Sequence, residues 1–368
     1  MSYRHTRSAL AAAILATLAS QTAQAVQTIE AAAPQVVVSA TRFAEADPRV
    51  PANITVISRE EIAASPSLGL PDLLKSAAGI EVRSLYGNMG IDAAVDLRGF
   101  GDTGTSNTLV LLDGRRLNPI DLSAVSWSSI PLGNVERVEI IRGSGSVLFG
   151  DRASGGVINI ITDKSSKPQS SVAATVGSYG YVGLDASTGA ASDSGRFTIN
   201  GHFADGDGWR RNSDASQQSI SGRGALKLAR GEAFMDYVFY DDRNGLPGYL
   251  PTAQYRDDPR QILAKFSKDK QRRDGYLVRP GLALELTPSL ALEVELAADH
   301  ENYHADNVSF ASVFQRRRDM LSLTPRLRWN HGLGNMASQT VVGIDYYDGD
   351  VASRSTTYAA QGAKQQST

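Results

Sequence analysis

From Asp163 onward, apolar and polar side chains alternate with a period of two, which places them on opposite faces of β-strands. In Arg196–Phe203, Phe197, Ile199 and Phe203 share one face, while Thr198, Asn200 and His202 share the other. Ile220, Leu226 and Leu228 oppose Ser221, Arg223 and Lys227. Leu282, Leu284, Leu286, Leu290, Leu292, Val294 and Leu296 oppose Glu285, Glu293 and Glu295. Leu321, Leu323, Leu327 and Trp329 oppose Ser322, Thr324, Arg326, Arg328 and Asn330, and Val342, Ile344 and Tyr346 close the series. No segment after the first 25 residues is apolar for ~18 residues, so no helix spans a bilayer.

A soluble sandwich also alternates, with its apolar face inward. The connections separate the two readings. Short ones (191–194, 229–232, 287–289, 332–335) take turns with long ones (205–217, 242–274, 304–318), after a brief opening turn at 178–180. Bacterial outer-membrane barrels have short periplasmic turns and long extracellular loops, and a sandwich has no cause to sort its loops this way. The expectation is an antiparallel transmembrane β-barrel over residues 164–368, with about nine strands, the ninth rising near Asp348. An even strand count, and a lumen wide enough for an inserted domain, are expected of about 22 strands. The polar ending Gln365-Gln366-Ser367-Thr368 also lacks an aromatic closing strand, so the chain is expected to be a fragment or a truncated reading frame.

Ahead of the strands lies a different texture. Arg4, His5 and Arg7 precede the apolar run Ala9–Ala19 and the small-x-small site Ala23-Gln24-Ala25, which is the order of a secretory signal at 1–25. Residues 26–50 read as an extended arm, and 51–163 as a compact α+β domain. Ile54–Ile57 is a strand. Ser58 and Glu61 have capping-box spacing for a helix to about Ala64. A second helix is expected over Leu70–Ala77, with Pro71 at its start and Gly79 at its stop. Strands follow at Ala93–Leu97, Thr108–Leu112, Val135–Arg142 and Val157–Ile161, with turns at Asp113-Gly114 and Gly143-Ser144-Gly145.

The chemistry-bearing motifs are few. A net charge of -2 gives no nucleic-acid footprint. The absence of cysteine agrees with an oxidising compartment without requiring one. Gly99-Phe100-Gly101-Asp102-Thr103-Gly104 fits the dinucleotide fingerprint, but strand-like Thr108–Leu112 follows where that mechanism needs a helix. His300 and His304 are four apart but lack the Glu of H-E-x-x-H, so they read as rim residues rather than a metal site. No catalytic set, metal site or cofactor is expected.

Several segments between about 35 and 162 resemble, in order, the plug of the TonB-dependent outer-membrane receptor family. They are Pro34–Arg42, Ile54–Ile57 with its helix, Asp72-Leu73-Leu74 through Ala78-Gly79-Ile80, Leu97–Phe100, Leu111–Asn118, and Val135–Gly143 onward to Thr162. The resemblance implies a plug inside a 22-stranded barrel that imports a scarce nutrient, driven by the inner-membrane TonB–ExbB–ExbD system. It implies no enzyme activity and a place in the Gram-negative outer membrane. Residues 35–40 match the family's TonB box. Val36, Val37, Val38, Ser39 and Ala40 would pair with TonB by β-augmentation. Arg98, Glu136, Arg137, Glu139 and Arg142 would serve in plug ion pairs, with Glu285, Glu293 and Glu295 as barrel partners. Ligand contacts are expected from Tyr86, Asn88, Met89, Asp102 and Thr103 on plug apices, and from Trp209, Arg210, Arg211, Tyr249 and Tyr255 on barrel loops. Arginines and aromatic rings suit flat anionic iron chelates. The ligand expected is a ferric siderophore, with cobalamin or haem as the alternative. From another class, a secreted or periplasmic α/β enzyme with a β-rich C-terminal domain is the rival reading.

Overall fold

The computed structural model describes residues 53–84, 89–121, 123–130, 132–164, 170–334, 336–358 and 364–367. The expected signal (1–25) and arm with its TonB box (35–40) lie outside the described residues.

The first domain grows from strand β1 (Asn53–Ile57), followed by helix α1 (Arg59–Ala64). Ser58 and Glu61 form the reciprocal capping box that their spacing predicts. Helix α2 spans Leu70–Lys75, ending two residues earlier than expected, and a strand that periodicity did not single out, β2 (Ile80–Ser84), pairs with β3 (Ala93–Leu97). Strands β4 (Thr108–Leu112), β5 (Arg115–Arg116), β6 (Val135–Arg142) and β7 (Gly156–Thr162) join β1 in a five-stranded sheet of order β1-β6-β7-β4-β5, in which β4 and β7 run parallel. Leu70, Leu73, Leu74, Val95, Val110, Val138, Ile140, Ile158 and Ile160 form one core beneath the two helices. Asp113 (φ +53°) and Gly114 (φ +82°) both take the left-handed conformation of a tight two-residue hairpin between β4 and β5. Gly99–Gly104 opens a 3-10 turn and a one-turn helix, Gly104–Asn107, before β4, where the sequence suggested strand directly.

The second part is one antiparallel sheet: β8 (Ser171–Val176), β9 (Val182–Ala191), β10 (Gly195–Gly206), β11 (Ala215–Leu228), β12 (Gly231–Gly245), β13 (Lys270–Thr287), β14 (Leu290–Asn307), β15 (Ser312–Leu333), β16 (Met336–Gly343), β17 (Tyr346–Tyr358) and β18 (Lys364–Ser367). Strands β16 and β17 both pair with β15, lower and upper halves respectively, so together they make a single pass. The passes from β8 to β17 therefore number the nine that the alternation suggests, and β18 begins another.

Exposure decides which way the sheet faces. Phe197, Ile199, Phe203, Ile220, Leu226, Phe239, Leu296, Leu321, Leu323 and Trp329 are exposed, while Ser221, Arg223, Asp242, Asn244, Arg279, Glu301, Arg318 and Arg326 on the other face are buried. A sandwich would reverse this. A barrel wall with lipid outside and a polar lumen requires it. The first domain fills that lumen: its Ser126, Ser128 and Asp113 bond to side chains of the inner face.

The long connections are shorter than the sequence suggests, at 207–214, 246–269 and 308–311. Above the lipid the apolar alternation stops because water accepts charged side chains on the outer face, yet the hydrogen-bonded ladder continues. His300 and His304 thus lie on strand β14 rather than at its end. His300 stacks on Tyr276 and bonds Asp319, and His304 bonds Asp306. Replacing outward-facing Leu321 with Arg should cost about 2–4 kcal/mol of stability in bilayers. Urea unfolding of the complete protein in lipid vesicles would measure it, and an unchanged midpoint would refute the lipid-facing assignment.

Candidate functional site

The contacts between the first domain and the inner wall are mainly ionic and hydroxylic, apart from an apolar patch where Met89 and Ile91 meet Tyr181, Ala204 and Ala215. Their upper centre is Glu301 on β14, which is only 1% exposed. Ser126 Oγ donates to Glu301 at 2.6 Å, Arg316 at 2.9 Å and Arg318 at 3.1 Å, with Arg273 Nε 3.6 Å away. The wall strands place these groups side by side, because Glu301 is in register with Arg318 and Tyr303 with both Arg273 and Arg316. The plug brings carboxylates to the same arginines. Asp121 lies 3.2 Å from Arg316 and 3.6 Å from Arg318, and Asp92 pairs with Arg273 while accepting from Gln271 at 2.5 Å. Ser123 accepts from Arg318 and donates to Asp121. Ser128 Oγ donates to Asp242 at 2.5 Å.

A second centre lies at the β4–β5 hairpin. Asp113 is 2% exposed and accepts from the Thr162 backbone (3.0 Å), the Thr162 hydroxyl (2.7 Å) and Arg279 of the wall (3.1 Å), with Lys164 at 3.2 Å. Burial alone would raise its pKa. Lys164, Arg279 and the Thr162 bonds overcome burial, so the carboxyl is held well below the usual range. Arg279 is shared with Asp236 at 2.5 Å and Glu295 at 3.7 Å. Two residues beyond Asp113, Arg115 is buried 3.6 Å from Asp299 of the wall.

Four of the five expected plug ion-pair residues bond within the plug itself. Arg137 pairs with Glu139 (2.9 Å) and reaches Glu136 (3.5 Å) along the same strand. Arg142 donates to Thr55 Oγ1 and to the Ala78 carbonyl. Arg98 is exposed at the end of β3 with φ +78°. The reason is topological: β6 lies inside the plug sheet, between β1 and β7. The pairs that cross to the wall largely invert the expected polarity, with carboxylates on the plug and arginines on the barrel. Of the proposed barrel partners, Glu295 approaches Arg279, Glu293 is in register with Arg326, and Glu285 is exposed near the lower turn. The upper wall residues were legible in principle, since carrying the inward parity of Glu293 and Glu295 up the strand reaches Glu301.

Among the expected ligand contacts, Tyr86 and Asn88 lie outside the described residues, as does the side chain of Asp102. Met89 is buried against Ile91, Tyr181, Ala204 and Ala215. Thr103 is exposed and bonds the Phe100 carbonyl. Arg210 is committed to loop structure, donating to the carbonyls of Gly248 (2.7 Å), Pro247 (3.3 Å) and Gln261 (3.2 Å). Asn212 does likewise for Leu246, Phe266 and Asp269. Trp209, Tyr249 and Tyr255 are exposed on this bound pair of loops, and Arg211 is exposed near Asp258.

Removing one member of a buried ion cluster strands its partners, at about 3–5 kcal/mol. Arg279→Ala should show that loss in urea unfolding of the complete protein; a loss under 1 kcal/mol would mean the pair is effectively solvated. Asp113 sets the acid limb. Its folded pKa lies below the unfolded value of about 3.9, so its stabilisation is complete at neutral pH. It fades as pH falls through that value and disappears in stronger acid. Asp113→Asn should flatten this part of an acid-unfolding curve.

Residues 47–157 match the family model described as the TonB-dependent Receptor Plug Domain. The chain is 43% identical over 150 residues, 41% of its own length and 23% of the other, to the vitamin B12 transporter BtuB of Vibrio vulnificus strain CMCP6. It is 37% identical over 157 residues to the Vibrio cholerae protein of the same name, covering 42% of this chain and 25% of that protein. Its fold is similar to the unliganded ferric citrate transporter FecA (TM-score 0.71, 19% identity, 86% of this chain and 50% of that one). It is also similar to the siderophore receptor PiuA of Acinetobacter baumannii (TM-score 0.70, 18% identity, 90% and 50%). The chain thus spans about a quarter of the curated relatives and half of the solved structures. These relatives are named as transporters and receptors, which favours the receptor reading over the secreted enzyme. Residues 47–157 are thus a plug domain of the TonB-dependent receptor type, seated against an antiparallel wall whose fold is similar to that of solved outer-membrane transporters.

Proposed function

We propose that this receptor is an energised importer of a ferric siderophore, with Val36–Ala40 as the segment that pairs with TonB and through it with ExbB and ExbD. The observation that carries the reading is the polar seam. A plug held by ion pairs and hydroxyls such as Ser126–Glu301 and Asp113–Arg279 can exchange each contact for water as it is pulled. An apolar seam would exact a hydrophobic penalty for every step. No covalent chemistry is involved.

A second reading, cobalamin import, is favoured by the names of the relatives at 37–43% identity. Two features support the siderophore. The rim presents Trp209, Tyr249 and Tyr255 as exposed rings, suited to stacking on flat chelates. The upper wall is rich in arginine, which suits anionic iron complexes more than a large corrinoid. Replacement of Trp209, Tyr249 and Tyr255 by Ala should weaken ligand binding without changing the plug seam.

Uptake by a deletion strain complemented with the complete gene tests both readings, using a panel of ferric chelates and cobalamin. Growth on an iron chelate alone is expected; rescue by cobalamin alone would overturn the siderophore assignment. Deleting residues 34–41 should abolish uptake while leaving surface binding intact. Normal transport by that deletion would refute the TonB-box assignment.

A further inference from the structure

Resting on the import reading, we infer that Arg273, Arg316 and Arg318 form a transit site for anionic cargo on the barrel wall, which the plug carboxylates Asp92 and Asp121 occupy until the plug moves. The three guanidiniums stand on β13 and β15, the two strands that flank β14. All three are buried or nearly so, with side-chain exposures of 4%, 14% and 5%. The wall's own nearby carboxylates are two, Glu301 and Asp242. The plug adds two more: Asp92 on Arg273, and Asp121 on Arg316 and Arg318.

Two further features mark the cluster as a ligand surface. The Nε donors of Arg273, Arg316 and Arg318 are buried and make no hydrogen bond, so the guanidiniums hold donor capacity that the plug leaves unused. Tyr303 lies beneath two of them, with Arg273 5.7 Å and Arg316 5.2 Å from its ring centroid. An aromatic floor beneath forked donors is a surface for a carboxylate, phosphate or catecholate carried on a planar group.

The plug segments that hold the two carboxylates are connections without long regular structure. Asp92 lies before β3 with φ +55°, and Asp121 lies between β5 and the turn at Trp127–Ser129. Moving both away leaves three buried guanidiniums against two wall carboxylates. An anionic ligand entering from the rim can replace the plug's counter-ions one for one, so the plug need not leave a buried charge unpaired at any stage.

The test uses the complete receptor in detergent and inorganic pyrophosphate as the probe, read by calorimetry. Asp92→Asn with Asp121→Asn removes the internal anions. That variant should bind pyrophosphate at least about tenfold tighter than wild type, and adding Arg316→Ala with Arg318→Ala should abolish the gain. Equal binding by wild type and the doubly neutral variant would overturn the inference. In case those variants fail to assemble, the wild type in cells offers a second measurement. Phenylglyoxal should modify Arg316 and Arg318 only when TonB is energised and the imported chelate is present, as read by peptide mass spectrometry. The same extent of modification with and without energy would overturn the inference. Loss of all TonB-dependent uptake would instead count against the import reading, since the calorimetric arm needs no energised membrane.

Discussion

A strand that crosses hydrocarbon must give every backbone N–H and C=O to a neighbouring strand, and everything else here follows from that. The ladder from β8 to β17 satisfies the backbone, and alternation then sends one side-chain set to lipid and the other to the lumen. Because the outer set takes the apolar residues, the inner set is left polar. Arg223, Asp242, Arg279, Glu301 and Arg318 are buried on that side. A domain that fits inside such a wall is held mainly by polar contacts, the apolar patch at Met89 and Ile91 being small. Its own core stays beneath α1 and α2 and its sheet, and its outer surface must answer charge with charge.

This division explains how one chain combines firmness with release. The interior of the plug is close-packed aliphatic residue against aliphatic residue, so it is firm as a unit. Its margin is a set of discrete polar contacts, each costly to strand but exchangeable when water or another ligand takes the vacated position. The Asp113 hairpin shows both sides. Thr162 and Lys164 hold the carboxylate to the plug's own sheet, while Arg279 ties it to the wall. Losing the wall contact leaves Asp113 still satisfied within its own domain.

Sequence reading recovered what depends on local periodicity. The capping box at Ser58, the strands of the plug sheet and the nine wall passes all follow from spacing of two or from cap chemistry. It fell short where the signal is non-local. β2 alternates Ile80 and Val82 with Glu81 and Arg83, but over a run too short to stand out from a loop, and it forms because β3 is there to pair with it. The strands continue past His300 because solvated charged side chains carry no periodic mark, although the ladder beneath them does not stop. The partners of the seam were the least legible. Arg137 looks, in one dimension, like any arginine near an apolar strand, and only the sheet order turns it toward Glu139 rather than the wall.

The way the outer loops are fastened bears on how such a surface can diversify. Arg210 and Asn212, both from the connection 207–214, grip the carbonyls at the two ends of the loop 246–269: Leu246, Pro247 and Gly248 on one side, and Gln261, Phe266 and Asp269 on the other. The short helix Thr252–Asp257 between those anchors is exposed. Backbone carbonyls are the same whatever side chain they carry, so the grip is indifferent to the identity of the anchored residues. The tip can therefore be exchanged, lengthened or tagged as a cassette while the mounting stays fixed. A lineage pressed by toxins or immune recognition can redraw the visible face without rebuilding the wall beneath it.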